Sequence, residues 1–523
     1  MTTRRTDPAR RGRDRKAEVL LPPPGSSRFQ RGEEPSVAVI GGGIAGLAAA
    51  TLLAERGARV TLYEKEASLG GRLSGWHTRL ADGSPVTMTR GFHAFFRQYY
   101  NLRGLLRRTD PSLARLTPLP DYPLRHSGGL TDSFARVPRT PPLSALGFVA
   151  LSPTFGWRDL AAMDPRAALP LLDVRVPAVY ERFDEVSATD FLEGVRFPEA
   201  AHHLAFEVFS RSFFADPREL SAAELLLMFH IYFLGSAEGL LFDVPSEPFP
   251  QALWDPLARY LQRLGADIRT GTPVHGVLPA SDTGADVLTD TGTGRHQAVV
   301  LALDPGGLRR VVGASPGLGT SGWREDIAAA LRTAPPFLVS RLWLDRAVRA
   351  DRPGFLGTSG YGGLDNISVL ERYEGEAARW AERTGGSVVE LHAYAVDPSA
   401  EPKEVQDLLV DRLHQVYPET REARVVDARH EWRSDCPLFT VGSHHRRPTV
   451  RTPHPWLTLA GDAIRCDLPV ALMERAATTG FLAANALLAD RGVRGQVLWT
   501  VPRAGRSPAL RALGAVAGRR SSP

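Results

Sequence analysis

The chain has 523 residues, and its 43% hydrophobic composition is enough for two or three structural units around a sizeable core. The formal net charge of +5 lies in the two ends, since residues 1–35 carry nine Arg or Lys against five acids and residues 491–523 carry seven Arg and no acid. No basic face with interleaved aromatic residues occurs between them, so we expect no nucleic-acid partner. The two cysteines and the adjacent histidine pairs match no metal-ligand spacing, so we expect no metal and no disulfide framework.

The two ends are rich in Pro, Gly, Ser and Arg, which predicts flexible basic tails at 1–34 and 491–523. Such tails either solvate a soluble protein or are attracted to anionic lipid head groups. The N-terminal arginines precede no apolar stretch of the kind found in secretion signals. We therefore expect a cytoplasmic protein that makes peripheral contact with the cytoplasmic face of the membrane.

The first structured pattern is a strand–helix–strand unit built around three glycines. An apolar run at 37–40 is followed by Gly41, Gly43 and Gly46 in G-x-G-x-x-G spacing, then by an Ala/Leu-rich helix pattern and a second strand pattern at 58–63. The glycines permit a tight turn, close approach of a pyrophosphate and close packing of the helix on the strand. The unit therefore predicts a dinucleotide site.

The residues beside these glycines complete the expected contacts with the nucleotide. Ile44 and Ala45 begin the helix, where free N–H groups and the positive end of the helix dipole face the phosphates. Glu64 lies 18 residues past Gly46, at the end of the second strand, where it can accept hydrogen bonds from an adenosine ribose. Lys65 follows directly and is expected to contact the same end of the cofactor.

Further along the chain, the pattern predicts a hairpin at 76–89, a helix at 91–108, and a helix that begins with a capping box of Ser221 and Glu224. The apolar stretch 225–237 in this last helix has 13 uncharged residues, too few for the ~20 of a spanning helix. It is either a buried core helix, a wall of an apolar tunnel or a shallow membrane contact. Further strands and helices are predicted at 249–264, 266–270, 273–277, 298–303, 335–345, 387–396, 403–417, 456–460 and 469–489.

Two short motifs identify the dinucleotide. Gly71 and Arg72 belong to a G-G-R turn shortly after Glu64, and Gly461 and Asp462 follow a late strand pattern. A nicotinamide dehydrogenase needs neither feature. FAD needs both, because it is a longer cofactor that requires a second loop at its pyrophosphate and a carboxylate for its ribitol hydroxyls. The sequence therefore predicts FAD.

These motifs together resemble the flavoprotein superfamily that contains amine oxidases and carotenoid desaturases. The segment 91–96, G-F-H-A-F-F, is similar to a stretch of zeta-carotene-type desaturases. The segment 467–480 looks like the ending of carotenoid aromatic-ring synthases, the isorenieratene synthase group. The resemblance covers roughly residues 36–500.

The resemblance implies an α/β fold with a two-dinucleotide-binding FAD domain, Rossmann-like and of the glutathione-reductase type, interleaved with an α+β substrate domain. The FAD domain would be assembled from 35–110, 240–308 and 452–490. The substrate domain would be assembled from 111–239 and 309–451.

The same resemblance implies further contacts with the cofactor. Arg90 and Gly91 begin the segment that the family lays under the flavin, and Val274 is placed where relatives present backbone groups to the adenine. Met473 lies in the first turn of the last helix, whose N-terminus would point at the flavin pyrimidine ring.

Three residues are the candidates for catalysis, namely His93, Asp467 and Glu474. Asp467 and Glu474 would stabilise a cation and remove a proton beside the flavin. Each candidate also has a structural interpretation: a histidine between phenylalanines is often a hydrogen-bonded packing residue, and an acid in a first helical turn is ordinary capping electrostatics.

By this resemblance the chain is an FAD-dependent desaturase that makes the β-ring of an apolar carotenoid aromatic, with a 1,2-methyl shift. A ring carbon that bears two methyl groups cannot become aromatic until one of them moves. Hydride loss, methyl shift and proton loss would therefore pass through a cation, which needs a dry pocket with a nearby carboxylate.

Three alternatives remain open: another carotenoid desaturase or isomerase, a flavin amine oxidase, and a non-catalytic lipid escort on the same fold. Amine oxidases of the superfamily place a lysine near the flavin, and none of Lys16, Lys65 and Lys403 looks able to reach it. The intact glycine motif favours retained FAD and so disfavours the escort.

Overall fold

The computed structural model describes residues 13–156, 161, 164, 167, 169–196, 214–280, 284–509 and 511–512. Residues 1–12 and 513–523 of the expected tails lie outside the described residues. The strands are β1 (Glu18–Leu20), β2 (Ser36–Ile40), β3 (Arg59–Tyr63), β4 (Gly75–Arg79), β5 (Pro85–Thr89), β6 (Phe95–Phe96), β7 (Leu116–Pro118), β8 (Leu124–His126), β9 (Thr131–Asp132), β10 (Phe242–Pro245), β11 (Asp267–Arg269), β12 (Val274–Pro279), β13 (Ala285–Thr289), β14 (Gly292–His296), β15 (Ala298–Leu301), β16 (Arg332–Thr333), β17 (Phe337–Leu344), β18 (Phe355–Ser359), β19 (Asn366–Val369), β20 (Ser387–Ala393), β21 (Val425–Arg433), β22 (Pro437–Leu438), β23 (Leu457–Leu459) and β24 (Leu498–Thr500).

The helices are α1 (Ile44–Glu55), α2 (Tyr100–Leu106), α3 (Leu143–Leu151), α4 (Leu169–Leu172), α5 (Ala178–Phe183), α6 (Ala188–Gly194), α7 (Ala222–Phe229), α8 (Asp255–Arg263), α9 (Pro305–Gly313), α10 (Ser321–Ala330), α11 (Gly375–Thr384), α12 (Pro402–Val416) and α13 (Leu472–Ala489). Single π-helical segments extend α7 at His230–Leu234 and precede α8 at Pro250–Trp254. No helix of the described residues is both long and apolar enough to cross a membrane.

A five-stranded parallel sheet forms one half of the molecule, in strand order β11-β3-β2-β15-β23. Along β2, Val37 and Val39 pack into one apolar core, while Ala38 and Ile40 pack into another. Both faces of the sheet are therefore covered, which explains why its strands are apolar runs without alternation. A three-stranded antiparallel sheet, β12-β13-β14, leads the chain into β15.

Helix α1 is held tightly between the parallel sheet and α13. A Cβ atom on Gly46 would lie 1.8 Å from the Gly41 carbonyl oxygen, so this position of α1 has no room for a side chain. On the other side, a Cβ atom on Gly480 of α13 would lie 2.2 Å from the carbonyl oxygen of Ala45. These close approaches fix the N-terminus of α1 at the end of β2.

A seven-stranded sheet forms the other half, in the order β21-β17-β20-β19-β18-β8-β9. Every residue of β17, β18, β19 and β20 is buried; α12 packs into one apolar core with the sheet, and helices α5, α6 and α7 share a second core with β17. Strands β8 and β9 precede β11 and β15 of the parallel sheet in the chain, and β17 to β21 follow them. The two sheets are therefore interleaved in sequence.

The expectation of flexible tails is wrong for the described parts of both ends. Strand β1 pairs antiparallel with β24, joining Glu18 to Thr500 and Leu20 to Leu498. The Asp14 carboxylate also accepts a hydrogen bond from Arg506 at 2.7 Å. Strands β1 and β24 thus supply each other's backbone hydrogen-bond partners, and Asp14 neutralises Arg506. Composition alone does not predict this pairing, because the two partners lie at opposite ends of the sequence.

Two local predictions are also corrected. The helix expected at 91–108 is limited to α2, because Gly91 has φ +91° and the chain continues through the short strand β6. The capping box is wrong: the Ser221 hydroxyl accepts a hydrogen bond from the Ala223 N–H, but Glu224 turns away to the guanidinium groups of Arg447 and Arg475. Two buried cations hold this carboxylate more strongly than one backbone N–H would.

Candidate active site

The glycine-rich turn between β2 and α1 forms one wall of a large cavity of about 880 Å³. Gly41 has φ +107°, and a Cβ atom there would lie 2.2 Å from the Ala302 carbonyl oxygen. At Gly43, by contrast, a Cβ atom would have only the Gly71 Cα within 4 Å, at 3.8 Å, so the space in front of it is open. Ile44 and Ala45 of the first helical turn line the same cavity.

The G-G-R turn and the late G-D motif meet at this point. Gly70 donates its N–H to the Gly42 carbonyl oxygen at 2.9 Å, which sets the second loop against the first. Arg72 forms an ion pair with Asp462, 2.5 Å between Nη2 and Oδ2, although the two residues are 390 positions apart. Gly71, Arg72, Gly461 and Asp462 all line the cavity.

Glu64 follows β3 directly and lies beside the glycine-rich turn. Its Oε2 accepts the Gly42 N–H at 2.7 Å and its Oε1 accepts the Glu66 N–H at 2.8 Å. Burial raises the pKa of this carboxyl group, and the two N–H donors counteract the rise. Lys65 and Val274 line the cavity next to it, and the Lys65 side chain is half-exposed.

Helix α13 directs its N-terminus into the cavity between these two loops. Leu472, Met473 and Ala476 line the wall there. The Gly461 N–H donates to the Thr479 hydroxyl at 2.9 Å, which joins the G-D motif to the same helix. The first-turn N–H groups and the helix dipole make this part of the cavity electropositive.

These residues fit a dinucleotide with two phosphates. Arg90 lines the cavity and pairs with Asp435 at 2.8 Å through Nη2, but its Nε is buried without a hydrogen-bond partner. A buried unpaired guanidinium nitrogen and an open glycine cradle both favour an anionic group between the two loops.

Two glycines of the predicted cofactor set have a different role. Gly46 does not line the cavity, since it packs α1 against the turn before it. Gly91 also lies outside the lining, and a Cβ atom there would come within 2.4 Å of the His392 ring. Both are needed for backbone packing that shapes the cavity.

His93, one of the three catalytic candidates, lines the cavity. Its Nδ1 donates to the Gly91 carbonyl oxygen at 2.9 Å, and its ring packs edge-on to Phe249 at a centroid distance of 5.7 Å. Burial lowers its pKa to about 4, so the imidazole is neutral at physiological pH. A neutral, hydrogen-bonded ring of this kind orients the 91–96 segment.

The two predicted catalytic carboxylates do not face the cavity. Glu474 is 3% exposed, and its oxygens accept the N–H groups of Asn101 at 2.8 Å and Leu102 at 2.9 Å, so it caps the N-terminus of α2. Burial raises its pKa to about 8. Asp467 is exposed on the surface before α13. Neither residue lines the cavity, so the expectation that they lie beside the reacting ring is wrong.

An aromatic wall lines another part of the cavity. Phe92 stacks on Phe355 with centroids 4.1 Å apart, and Tyr122 contacts the same ring at 4.7 Å. Phe96 packs on Tyr232 at 4.7 Å. Phe92 and Phe96 belong to the 91–96 segment, and Tyr232 belongs to the apolar stretch 225–237, for which a tunnel wall was one of the predicted alternatives. Tyr122 and Phe355 had no sequence signal, because they come from distant elements that meet only in the fold.

The comparisons with known proteins agree with this geometry. Residues 44–488 match the family model for flavin containing amine oxidoreductase. A carotenoid phi-ring synthase of Streptomyces griseus is 72% identical over 97% of this chain and 98% of its own length. A carotenoid phi-ring synthase of Chlorobaculum tepidum is 31% identical over 89% of this chain and 90% of its own length.

Solved structures show the same fold. Putrescine oxidase bound to putrescine superimposes with a TM-score of 0.65 at 16% identity, covering 87% of this chain and 99% of that one. Cyclohexylamine oxidase from Brevibacterium oxydans gives a TM-score of 0.63 at 16% identity, covering 88% and 99%.

The chain therefore belongs to the flavin-containing amine oxidoreductase family, and it is an FAD-dependent oxidoreductase. Within that family it is of the carotenoid aromatic-ring synthase type, as its similarity to both phi-ring synthases shows. The predicted α/β fold and the predicted FAD are confirmed. Among the described residues there is no group of His, Cys, Asp and Glu that could hold a metal ion.

Proposed function

We propose that this enzyme converts the β-ring of a carotenoid into an aromatic phi-type ring, by desaturation together with a 1,2-methyl shift. The 72% and 31% identity to two carotenoid phi-ring synthases supports the substrate class and the ring product. The structural observation that carries the proposal is a single cavity that joins the glycine cradle to the aromatic wall.

The chemistry sets clear demands on this cavity. Four hydrogens leave each ring, as two hydrides and two protons, and one methyl group moves to the neighbouring carbon. FAD, when bound, supplies the hydride acceptor. The protein must exclude water from the cationic ring, hold the ring in one orientation and accept the protons.

The aromatic wall meets the first two demands. Phe92 stacks on Phe355, and Tyr122 packs on the same ring at a tilt. Phe242 packs edge-on to Phe92 and Tyr122, and its ring lies 5.6 Å from that of Phe96. Aromatic faces attract a cation by about 2 kcal/mol when the pair is desolvated, and they offer no nucleophile to trap it. The aromatic wall is therefore better suited to an apolar ring that becomes positively charged than to a small polar amine.

The arrangement of lysines also disfavours amine oxidation. Lys65 lines the cavity beside Glu64, where it pairs with Glu66 at 3.7 Å. Lys403 pairs with Asp407 on the exposed surface of α12, and Lys16 lies in the N-terminal segment. No lysine of the described residues therefore lines the aromatic part of the cavity.

The test is product analysis in a cell that makes β-carotene and expresses the full chain. We expect carotenoids that have lost four hydrogens per processed ring and carry aromatic methyl groups. Unchanged β-carotene, or a product desaturated without a methyl shift, would contradict the proposal and favour an ordinary desaturase.

We further propose that the enzyme takes its substrate from a lipid bilayer through α3. Leu143, Leu146 and Leu151 of this helix are 57%, 61% and 55% exposed. On its inner side, Phe148 stacks on Phe134 at 4.8 Å, and Phe134 lines the cavity. An exposed apolar helix one aromatic layer away from the cavity suits the transfer of a long apolar molecule.

The charge around α3 supports a membrane as the occupant of this surface. Arg136 and Arg139 are exposed directly before the helix, and no acidic residue lies between them and Leu151. Cations that flank an apolar helix are attracted to anionic lipid head groups.

A further inference from the structure

A buried hydrogen-bond chain runs through the wall of the cavity along β20 and its neighbour β19. His392 Nε2 lies 2.9 Å from Glu390 Oε1, and His392 Nδ1 lies 2.9 Å from the Tyr394 hydroxyl. The Asn366 amide donates to the same hydroxyl at 3.0 Å. His392, Tyr394 and Asn366 line the cavity, and Glu390 lies behind them with no exposed surface.

The partners of His392 determine where its protons lie. The Glu390 carboxylate, 2.9 Å from Nε2, can only accept a hydrogen bond, so Nε2 carries the hydrogen and donates it to that bond. The Phe92 N–H also approaches Nε2, but at 3.3 Å it is the longer contact. Nδ1 is then free to accept the Tyr394 O–H, while the Tyr394 oxygen receives the Asn366 N–H. The chain is thus set to move a proton from the cavity towards Glu390.

Glu390 is held as a carboxylate. Burial alone would raise its pKa, but Arg341 donates to Oε2 through Nε at 3.0 Å and Nη2 at 2.8 Å, and with His392 it lowers the pKa to about 2. Arg341 also donates to the Thr87 carbonyl oxygen and the Thr89 hydroxyl, which fixes it against β5. An ionised carboxylate next to an imidazole stabilises the imidazolium that forms when the ring takes up a proton.

This hydrogen-bond chain lies next to Phe92 of the aromatic wall and close to Arg90, which lines the same cavity as the glycine-rich turn. The His392 ring occupies the space left by the missing side chain of Gly91, the residue after Arg90 of the cradle. Phe92 of the aromatic wall touches His392 through its backbone N–H.

We propose that Tyr394 and His392 are the proton acceptor of the ring reaction, and that Glu390 is their positioning residue; this rests on the proposed function above. When the cationic ring loses a proton, its C–H bond breaks and the electron pair becomes a ring double bond. The Tyr394 oxygen takes that proton while its own proton passes to His392 Nδ1. Glu390 stabilises the resulting imidazolium until the proton returns to solvent.

This assignment fills the role that Glu474 and Asp467 leave vacant. Each ring must lose two protons, and a base positioned in the transition state contributes about 10²–10⁴-fold to the rate. The hydride acceptor is the FAD of the proposed function; it takes one hydride at a time, so an external electron acceptor must reoxidise the flavin between the two hydride losses of each ring. The proton transfer itself needs no further reactant.

The test uses full-length, FAD-loaded enzyme with β-carotene in liposomes. His392→Ala removes the acceptor but leaves the Glu390–Arg341 pair intact, and Tyr394→Phe removes one hydroxyl. We expect both variants to form aromatic product at least ~10²-fold more slowly, with unchanged flavin absorbance per protein. Matched controls are His430→Ala and Tyr417→Phe, whose side chains do not line the cavity, and these should keep the wild-type rate.

Chemical rescue separates proton transfer from packing. Imidazole should restore activity to His392→Ala, and pyrazole, a ring of the same size but a far weaker base, should not. Equal rescue by both, rates within threefold of wild type in both variants, or loss of FAD from both would overturn the proposal. If the wild-type enzyme itself makes no aromatic ring, the proposed function fails instead, so the two failures are distinguishable.

Discussion

Gly43 and Gly46 belong to the same motif but differ in what surrounds their missing side chains. Gly46 faces the Gly41 carbonyl oxygen, where a Cβ atom would lie at 1.8 Å, and Gly43 faces the open cradle. One glycine is therefore required by the fold and the other by the cofactor.

Because their surroundings differ, the same substitution should have a different effect at Gly43 and at Gly46. Gly43→Val should fold normally but weaken FAD binding at least ~10-fold, a change of about 1.4 kcal/mol, because its methyl groups occupy the phosphate space. Gly46→Val should lower the free energy of unfolding by about 3 kcal/mol, because it forces α1 away from β2. Flavin absorbance and thermal unfolding of both variants provide the measurements. A flavin-replete Gly43→Val protein would contradict the assignment of the cradle.

Glu474 is the residue where sequence and structure disagree most. Glu474→Gln should lower the free energy of unfolding by about 1–3 kcal/mol, because its amide N–H would face a backbone N–H of α2. Product formation per FAD-loaded molecule should stay at the wild-type level. Chemical denaturation and product assays measure the two effects, and a large loss of turnover in stable enzyme would restore Glu474 as a catalytic candidate.

Helix α3 is the element on which the proposed membrane contact depends. Replacing Leu143, Leu146 and Leu151 with Ser should lower binding to anionic vesicles at least ~10-fold, since each leucine inserted fully into an apolar phase contributes about 1.5–3 kcal/mol. Turnover of detergent-dispersed substrate should be retained. The matched control is Leu21→Ser, at a leucine that is 75% exposed outside this helix.

Vesicle flotation measures the membrane binding of the triple variant and of the Leu21→Ser control. Equal binding of the triple variant and the wild type would assign the membrane contact to another surface. Self-association in gel filtration that disappears in the triple variant would show that α3 contacts a second copy instead.

At the scale of the whole molecule, local motifs predicted the α/β fold class and the FAD cofactor. Gly41, Gly43, Glu64 and the strand–helix–strand unit are consecutive in sequence, so their spacing alone constrains their geometry. Arg72 and Asp462 were also recognised, although only the fold shows that they form an ion pair.

The remaining features could not be predicted because they depend on partners far away in sequence. Glu224 and Glu474 look like ordinary first-turn acids until their partners, Arg475 and Asn101, are brought to them by folding. The β1–β24 ladder joins the two ends of the chain in the same way. His392 and Tyr394 are two apart in the predicted strand 387–396, which indicates a shared face but not that this face borders a cavity.

The central claim is that one cavity brings FAD and a carotenoid ring together for desaturation with a methyl shift. The most direct measurement uses β-carotene labelled with ¹³C in the two methyl groups of its geminal ring carbon, converted by the purified enzyme and analysed by NMR. The account predicts labelled methyl groups on two adjacent aromatic carbons. A product that keeps both labelled methyl groups on one saturated carbon would contradict it.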